Sequence, residues 1–119
     1  MAAVKFKLIF SSSTVGSDKV DFSVEKSVTV QEPFSNISKV SVGTGADSVL
    51  LSTSIGDAYL YVKNMDTTNF ITLKDNADNS IAKIKPLEFA LIPMITTIGA
   101  ELIADTDTCI AEYAFWSKA

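Results

Sequence analysis

Fourteen carboxylates, one cysteine and no histidine set the limits of what this chain can do by acid–base or nucleophilic chemistry. Asp105/Asp107 and Glu101/Glu112 are close enough in sequence to suggest a carboxylate pair. Glycoside hydrolysis would need two such carboxyls held in different environments, one a proton donor and one ionised. A β-rich chain with this many acids also brings some together by chance, so neither pair by itself identifies an enzyme. Cys109 lies in a run of strand-forming residues, and without histidine it lacks the usual base of a cysteine nucleophile. It shares a strand face with Ala111, Tyr113 and Phe115, which predicts a core position.

Two loops invite a ligand. Asp75-Asn-Ala-Asp-Asn79 is rich in oxygen donors, but an EF-hand loop needs Gly at its sixth position and Glu at its twelfth, where Ser80 and Pro86 stand. What remains is a looser oxygen-ligand site or a hairpin tip, since Asp and Asn accept the left-handed angles that turns require. Gly43-Thr-Gly45 starts like a phosphate loop, yet Ser48 replaces the third glycine and no helical pattern follows. A turn before the next strand is the expectation. Lys5/Lys7 and Lys83/Lys85 each place two ammoniums on one strand face, as a solvated or guarded edge does. All ten basic residues are lysine and the net charge is −4, which argues against nucleic acid as a partner. No catalytic residue, cofactor or metal is assigned from the sequence, and the chain is expected not to be an enzyme.

The elements that must carry these residues have a period of two. From Val20 to Val30 the even positions read Val, Phe, Val, Lys, Val, Val and the odd ones Asp, Ser, Glu, Ser, Thr. That is the pattern of a strand with one buried face. Val4, Phe6, Leu8 and Phe10 alternate with Lys5 and Lys7 in the same way. Further β-branched or aromatic runs cover 37–42, 49–55, 59–63, 70–73, 81–85, 89–92 and 109–116, with Gly-, Asp- and Asn-rich turns between them. Ile98–Ala104 could make two helical turns, but Thr96, Thr97 and Gly99 disfavour a helix, so a strand is expected there. About eight short strands at such spacing predict an all-β chain, an antiparallel β-sandwich of jelly-roll or Ig-like type. With 119 residues, 47% of them hydrophobic, the chain has enough core for one domain without disulfides or metal. Residues 1–12 form either an N-terminal arm, with Val4, Phe6, Leu8 and Phe10 as its contacts, or the first strand of the sandwich. The arm could add a strand to a neighbour. The longest apolar runs are far short of a membrane span, and the first ten residues lack the continuous apolar stretch of a secretory signal.

Two strands are apolar on both faces. Tyr59 and Tyr61 oppose Leu60 and Val62, and Tyr113 and Phe115 oppose Ile110 and Trp116. Such a strand lies between two covering layers or faces a subunit partner. Tyr59, Tyr61, Tyr113, Phe115 and Trp116 are therefore the candidate interface.

Three segments in the second half of the chain carry a resemblance: Tyr61-Val-Lys-Asn-Met-Asp-Thr-Thr-Asn-Phe-Ile-Thr-Leu73, Lys85-Pro-Leu-Glu-Phe-Ala-Leu-Ile-Pro93 and Ala104-Asp-Thr-Asp-Thr-Cys-Ile-Ala-Glu-Tyr-Ala-Phe-Trp116. From Tyr59 onward the chain resembles small virion structural proteins of tailed bacteriophages. It departs from them at Leu87, where they usually carry Gly after Pro. The resemblance implies a non-enzymatic role in the virion, made in the host cytoplasm, with capsid decoration (cement) favoured over a head–tail connector or tail component. It also implies self-association, a homotrimer first, and a major capsid protein or other virion protein as partner. A carbohydrate- or receptor-binding module is the alternative from a different class.

Overall fold

The computed structural model describes residues 2–14, 20–95 and 97–119, with Val20 described in its backbone alone. Among them the chain forms ten strands: β1 (Ala2–Ser12), β2 (Val20–Phe34), β3 (Ser38–Val42), β4 (Ser48–Leu51), β5 (Ala58–Asn64), β6 (Ile71–Lys74), β7 (Ser80–Ile84), β8 (Phe89–Met94), β9 (Ala100–Ala104) and β10 (Cys109–Lys118). No helix among the described residues is long and apolar enough to cross a membrane. The chain divides into two compact units, one holding β1 and β2 as far as Gln31, the other running from Glu32 to Lys118.

The larger unit, the body, holds β3 to β10. They make two antiparallel sheets, one ordered β3–β10–β5–β8, in which β10 also pairs with β2, and a four-stranded one ordered β4–β9–β6–β7. From β3 onward only β6 and β7 are consecutive strands of one sheet; every other step crosses to the opposite sheet. That strand order is a jelly roll, which resolves the choice left open by sequence. Leu60, Val62, Ile71, Leu73, Leu102 and Cys109 are fully buried between the sheets, with Val42, Ile84, Met94 and small alanines filling the remaining space. Alternation puts these residues inward and their neighbours outward, so the burial pattern of β5 reads buried and half-buried in turn from Ala58 to Asn64.

Polar side chains fix the loops. Asn64, wholly buried, donates Nδ2 to the carbonyls of Asn69 (2.9 Å) and Ile84 (3.1 Å) and accepts the amide of Asp66 on Oδ1 (2.9 Å). Asp66 in turn accepts the amides of Thr68 and Asn69. These two donors hold its carboxyl below the usual carboxylate range. The Lys-Asn-x-Asp-x-Thr-Asn-Phe string is thus a loop frame in which the Asn64 and Asp66 side chains answer backbone groups. Lys85–Glu88 is a turn closed by Glu88 N to Lys85 O (3.0 Å), with the Glu88 side chain accepting the Lys85 amide (2.9 Å). Leu87, its third residue, has φ 65°, a backbone conformation that suits Gly and costs a side-chain-bearing residue about 1 kcal/mol.

The smaller unit is a β-ribbon. β1 pairs with β2 antiparallel from Ala2↔Val30 to Ser12↔Val20. This register puts Val4, Phe6, Leu8 and Phe10 on one face with Phe22, Val24, Lys26 and Val28, and Lys5, Lys7 and Ile9 on the other with Asp21, Ser23 and Glu25. Residues 2–12 are therefore one strand of a paired ribbon rather than a lone arm. The even positions of 20–30, expected on a buried face, are open at Phe22 (55% exposed) and Val24 (49%). Ser11–Ser17 reads in the sequence as a flexible polar loop or linker; Ser11 and Ser12 close β1 instead, and residues 15–17 lie outside the described residues. β4 ends at Leu51, short of the expected 55, because Ser52–Gly56 turn the chain toward β5, Ile55 N bonding Ser52 O.

Candidate functional site

The outward face of the β3–β10–β5–β8 sheet is built in cross-strand rows. Trp116 on β10 stands beside Tyr59 on β5 and Pro93 on β8; Ala114 beside Tyr61 and Leu91; Glu112 beside Lys63 and Phe89. Ile110 extends the β10 column beside Ser41, and Lys39 flanks Glu112 from β3. Eight of these positions are apolar or aromatic, on a face that points away from the core. Phe89 is 63% exposed, Leu91 43% and Ile110 44%, while Tyr59, Tyr61 and Trp116 are half-buried by their neighbours. The Tyr61 hydroxyl donates to Glu112 Oε1 at 2.8 Å. Burial first, then the Glu112 hydrogen bond and charge, push the Tyr61 phenol up to about 12, so it stays a neutral donor. The Lys118 ammonium lies 4.9 Å from the centroid of the Tyr59 ring.

The five residues of the expected interface separate. Tyr59, Tyr61 and Trp116 share this outward face. Tyr113 and Phe115 lie on the opposite side of β10 and pack against the core, with Phe115 N donating to Ser35 Oγ and Phe115 O accepting Ser35 N, both at 2.9 Å. Phe89, Leu91 and Ile110 belong to the outward rows and were not singled out from sequence. Phe89 and Leu91 alternate with the half-buried Ala90 and Ile92. That signal was present, but it becomes informative only once β8 is placed beside β5.

The chemical alternatives resolve into framework. Asp75 accepts the amides of Ala77 and Asn79 on Oδ1 (both 2.9 Å) and the Asn79 side-chain amide on Oδ2 (3.0 Å), which makes the loop a hairpin tip. Those bonds hold its carboxyl below the usual range. Asp105 accepts the Thr106 hydroxyl and Asp107 the Thr108 amide. Glu101 points outward from β9 and Glu112 outward from β10, so the two carboxyls stand on opposite sides of a sandwich whose sheets are about 10 Å apart. Cys109 is 1% exposed, and burial, followed by the charges of Asp66 and Asp107, pushes its thiol up. It is a packed, unactivated thiol. Gly43 and Gly45 lie in the β3–β4 connection, where Gly43 O accepts Ala104 N (2.9 Å). Lys83 covers the Phe70 ring at 4.1 Å.

One charged cluster escaped the sequence. Lys74 Nζ lies 3.1 Å from Asp47 Oδ1 and 2.7 Å from Asp78 Oδ1, and Glu101 brings a third carboxylate to the same spot. The three carboxylates could bracket a cation, but the Lys74 ammonium already supplies a positive charge there and its own pKa is raised by those bonds. Burial and the neighbouring Asp47 push the Glu101 carboxyl up. These residues come from three separated stretches, with only Lys74 and Asp78 near each other in sequence, so no spacing announces the whole cluster. Among the described residues no buried side-chain nitrogen or oxygen lacks a partner.

What this geometry can do is bind an apolar surface: a broad aromatic and aliphatic sheet face with one hydrogen-bonded Tyr–Glu pair set into it. In comparison with known proteins, the chain matches no family model, no curated protein and no solved structure.

Proposed function

We propose that the chain is a non-enzymatic structural protein of a tailed-phage virion, a decoration protein that self-associates and binds the major capsid protein on the outside of the head. The observation that carries this reading is the outward face of the β3–β10–β5–β8 sheet, where Tyr59, Tyr61, Trp116, Phe89, Leu91 and Ile110 form an apolar surface. Contiguous exposed apolar and aromatic side chains on a small protein mark an interaction surface. The jelly roll is used by capsid proteins, though also by lectins and cupins, so the fold supports the reading only by analogy. The resemblance from Tyr59 onward points the same way.

The test is co-sedimentation of the purified protein with expanded phage capsids. Saturable binding with a fixed copy number per capsid supports decoration; binding confined to the head–tail vertex would make it a connector; no binding to particles would overturn the proposal. Tyr59, Tyr61 and Trp116 on one face also favour a glycan-binding module, and glycan-array binding lost in Trp116→Ala would establish that reading instead.

A further inference from the structure

The ribbon carries a second apolar surface. Leu8, Phe10, Phe22 and Val24 sit together on one face toward its tip, 42–55% exposed, with the Phe10 and Phe22 rings 5.8 Å apart. The opposite face settles its own charges: Lys7 is directly across from Glu25, and Lys5 Nζ reaches Glu25 Oε2 at 3.5 Å. A two-stranded ribbon with an uncovered apolar face is marginally stable by itself and gains from a covering layer.

We infer that the layer is a second copy of this chain: each copy lays the distal half of its ribbon on the outward β3–β10–β5–β8 face of a neighbour and receives a ribbon in return. This rests on the reading of that face as a self-association surface and names its occupant. Two arguments select a copy over a foreign partner. The first is area. The four exposed side chains offer on the order of 300 Å², so a single ribbon on a partner removes about 600 Å² in all, the size of a lattice contact. Reciprocal exchange brings the total to about 1,200 Å², where stable interfaces begin. The second is charge. Residues 1–31 carry four Lys against three carboxylates, whereas residues 32–118 carry six Lys against eleven. Ribbon and body therefore attract as wholes, while body against body repels; at the contact itself the fit is apolar.

The experiment has two arms. In the first, the mass of Phe10→Ser/Phe22→Ser is measured beside wild type, with circular dichroism to confirm the strands. The expected result is a fall from a multimer to the 12.8 kDa monomer. An unchanged multimer, or a wild type that is already monomeric, overturns the inference. The second arm does not depend on that variant folding. Val24→Cys and Leu91→Cys are combined in one chain and treated with a short bismaleimide, the buried Cys109 serving as an unreactive background. Bridges between chains, absent from either single variant, are expected; a bridge within one chain, or none, overturns it. A monomer that still binds capsids would sink the exchange and spare the decoration role, and an exchanged multimer that ignores capsids would do the reverse.

Discussion

The two outward faces of the jelly roll share one core and differ in almost everything else. On the β3–β10–β5–β8 side the rows are Trp116–Tyr59–Pro93 and Ala114–Tyr61–Leu91. On the β4–β9–β6–β7 side the corresponding positions are Val49, Glu101, Ile103, Thr72, Lys74, Lys83 and Ile81, with Lys74 joined to Asp47 and Asp78. One face keeps its polar content to a hydrogen-bonded Tyr61–Glu112 pair and the flanking lysines; the other meets water with ion pairs. Both faces satisfy the fold equally well, because a sandwich needs only its inner faces to be apolar. The difference bears on what each face does outside the domain, and the proposed assembly role belongs to the first.

Breaking the shared frame should erase the comparison altogether. Asn64→Ala leaves the Asn69 and Ile84 carbonyls and the Asp66 amide without their buried partner. It should cost about 3 kcal/mol, read as a lower denaturant midpoint with unchanged slope. The next largest effect separates the faces. Leu91→Lys should weaken self-association by about 2 kcal/mol, roughly thirtyfold in Kd, while Ile103→Lys on the other face leaves it unchanged. Analytical ultracentrifugation across a dilution series reads both. Leu87→Gly removes a side chain from a φ of 65° and should stabilise the body by about 1 kcal/mol without touching either face. Thermal unfolding checks it.

The smallest effect is in pH. The Glu101 carboxyl is raised in the fold, so its contribution to stability is full below its unfolded value of 4.5 and is lost as pH rises through the higher folded value. Asp66 is lowered and acts oppositely: its contribution is present above 3.8 and lost as pH falls through the folded value. Glu101→Gln should therefore gain stability over wild type as pH climbs from 4.5 toward neutrality, and Asp66→Asn should flatten the acid limb. Urea midpoints measured from pH 3 to pH 7 would show both.

Much of this frame was legible in the sequence. Period-two alternation located most strands, the helix-disfavouring Thr96, Thr97 and Gly99 pointed to strand from 98 to 104, and the face shared by Cys109 with Ala111 predicted its burial. The opposed faces of Tyr59-Leu-Tyr-Val62 were equally plain. What sequence could not supply was which strands are neighbours. Without that, Tyr113 and Phe115 looked as available as Trp116, and Phe89 and Leu91 were simply part of an apolar run. The Lys74 cluster was invisible because its members meet only after the β4, β6, β7 and β9 ends converge. The ribbon misled for a different reason: alternation reports that a face is apolar, not that something covers it, and Phe22 and Val24 were read as half-buried when they stand open.

The most direct test of the assembly face is the solution mass of three proteins by light scattering: wild type, Leu91→Lys and Ile103→Lys. The account predicts a wild-type multimer of the 12.8 kDa chain, about 26 kDa for two copies that exchange ribbons. Leu91→Lys should fall to monomer and Ile103→Lys should match wild type. A wild-type monomer, or a multimer that Ile103→Lys breaks and Leu91→Lys spares, would contradict it.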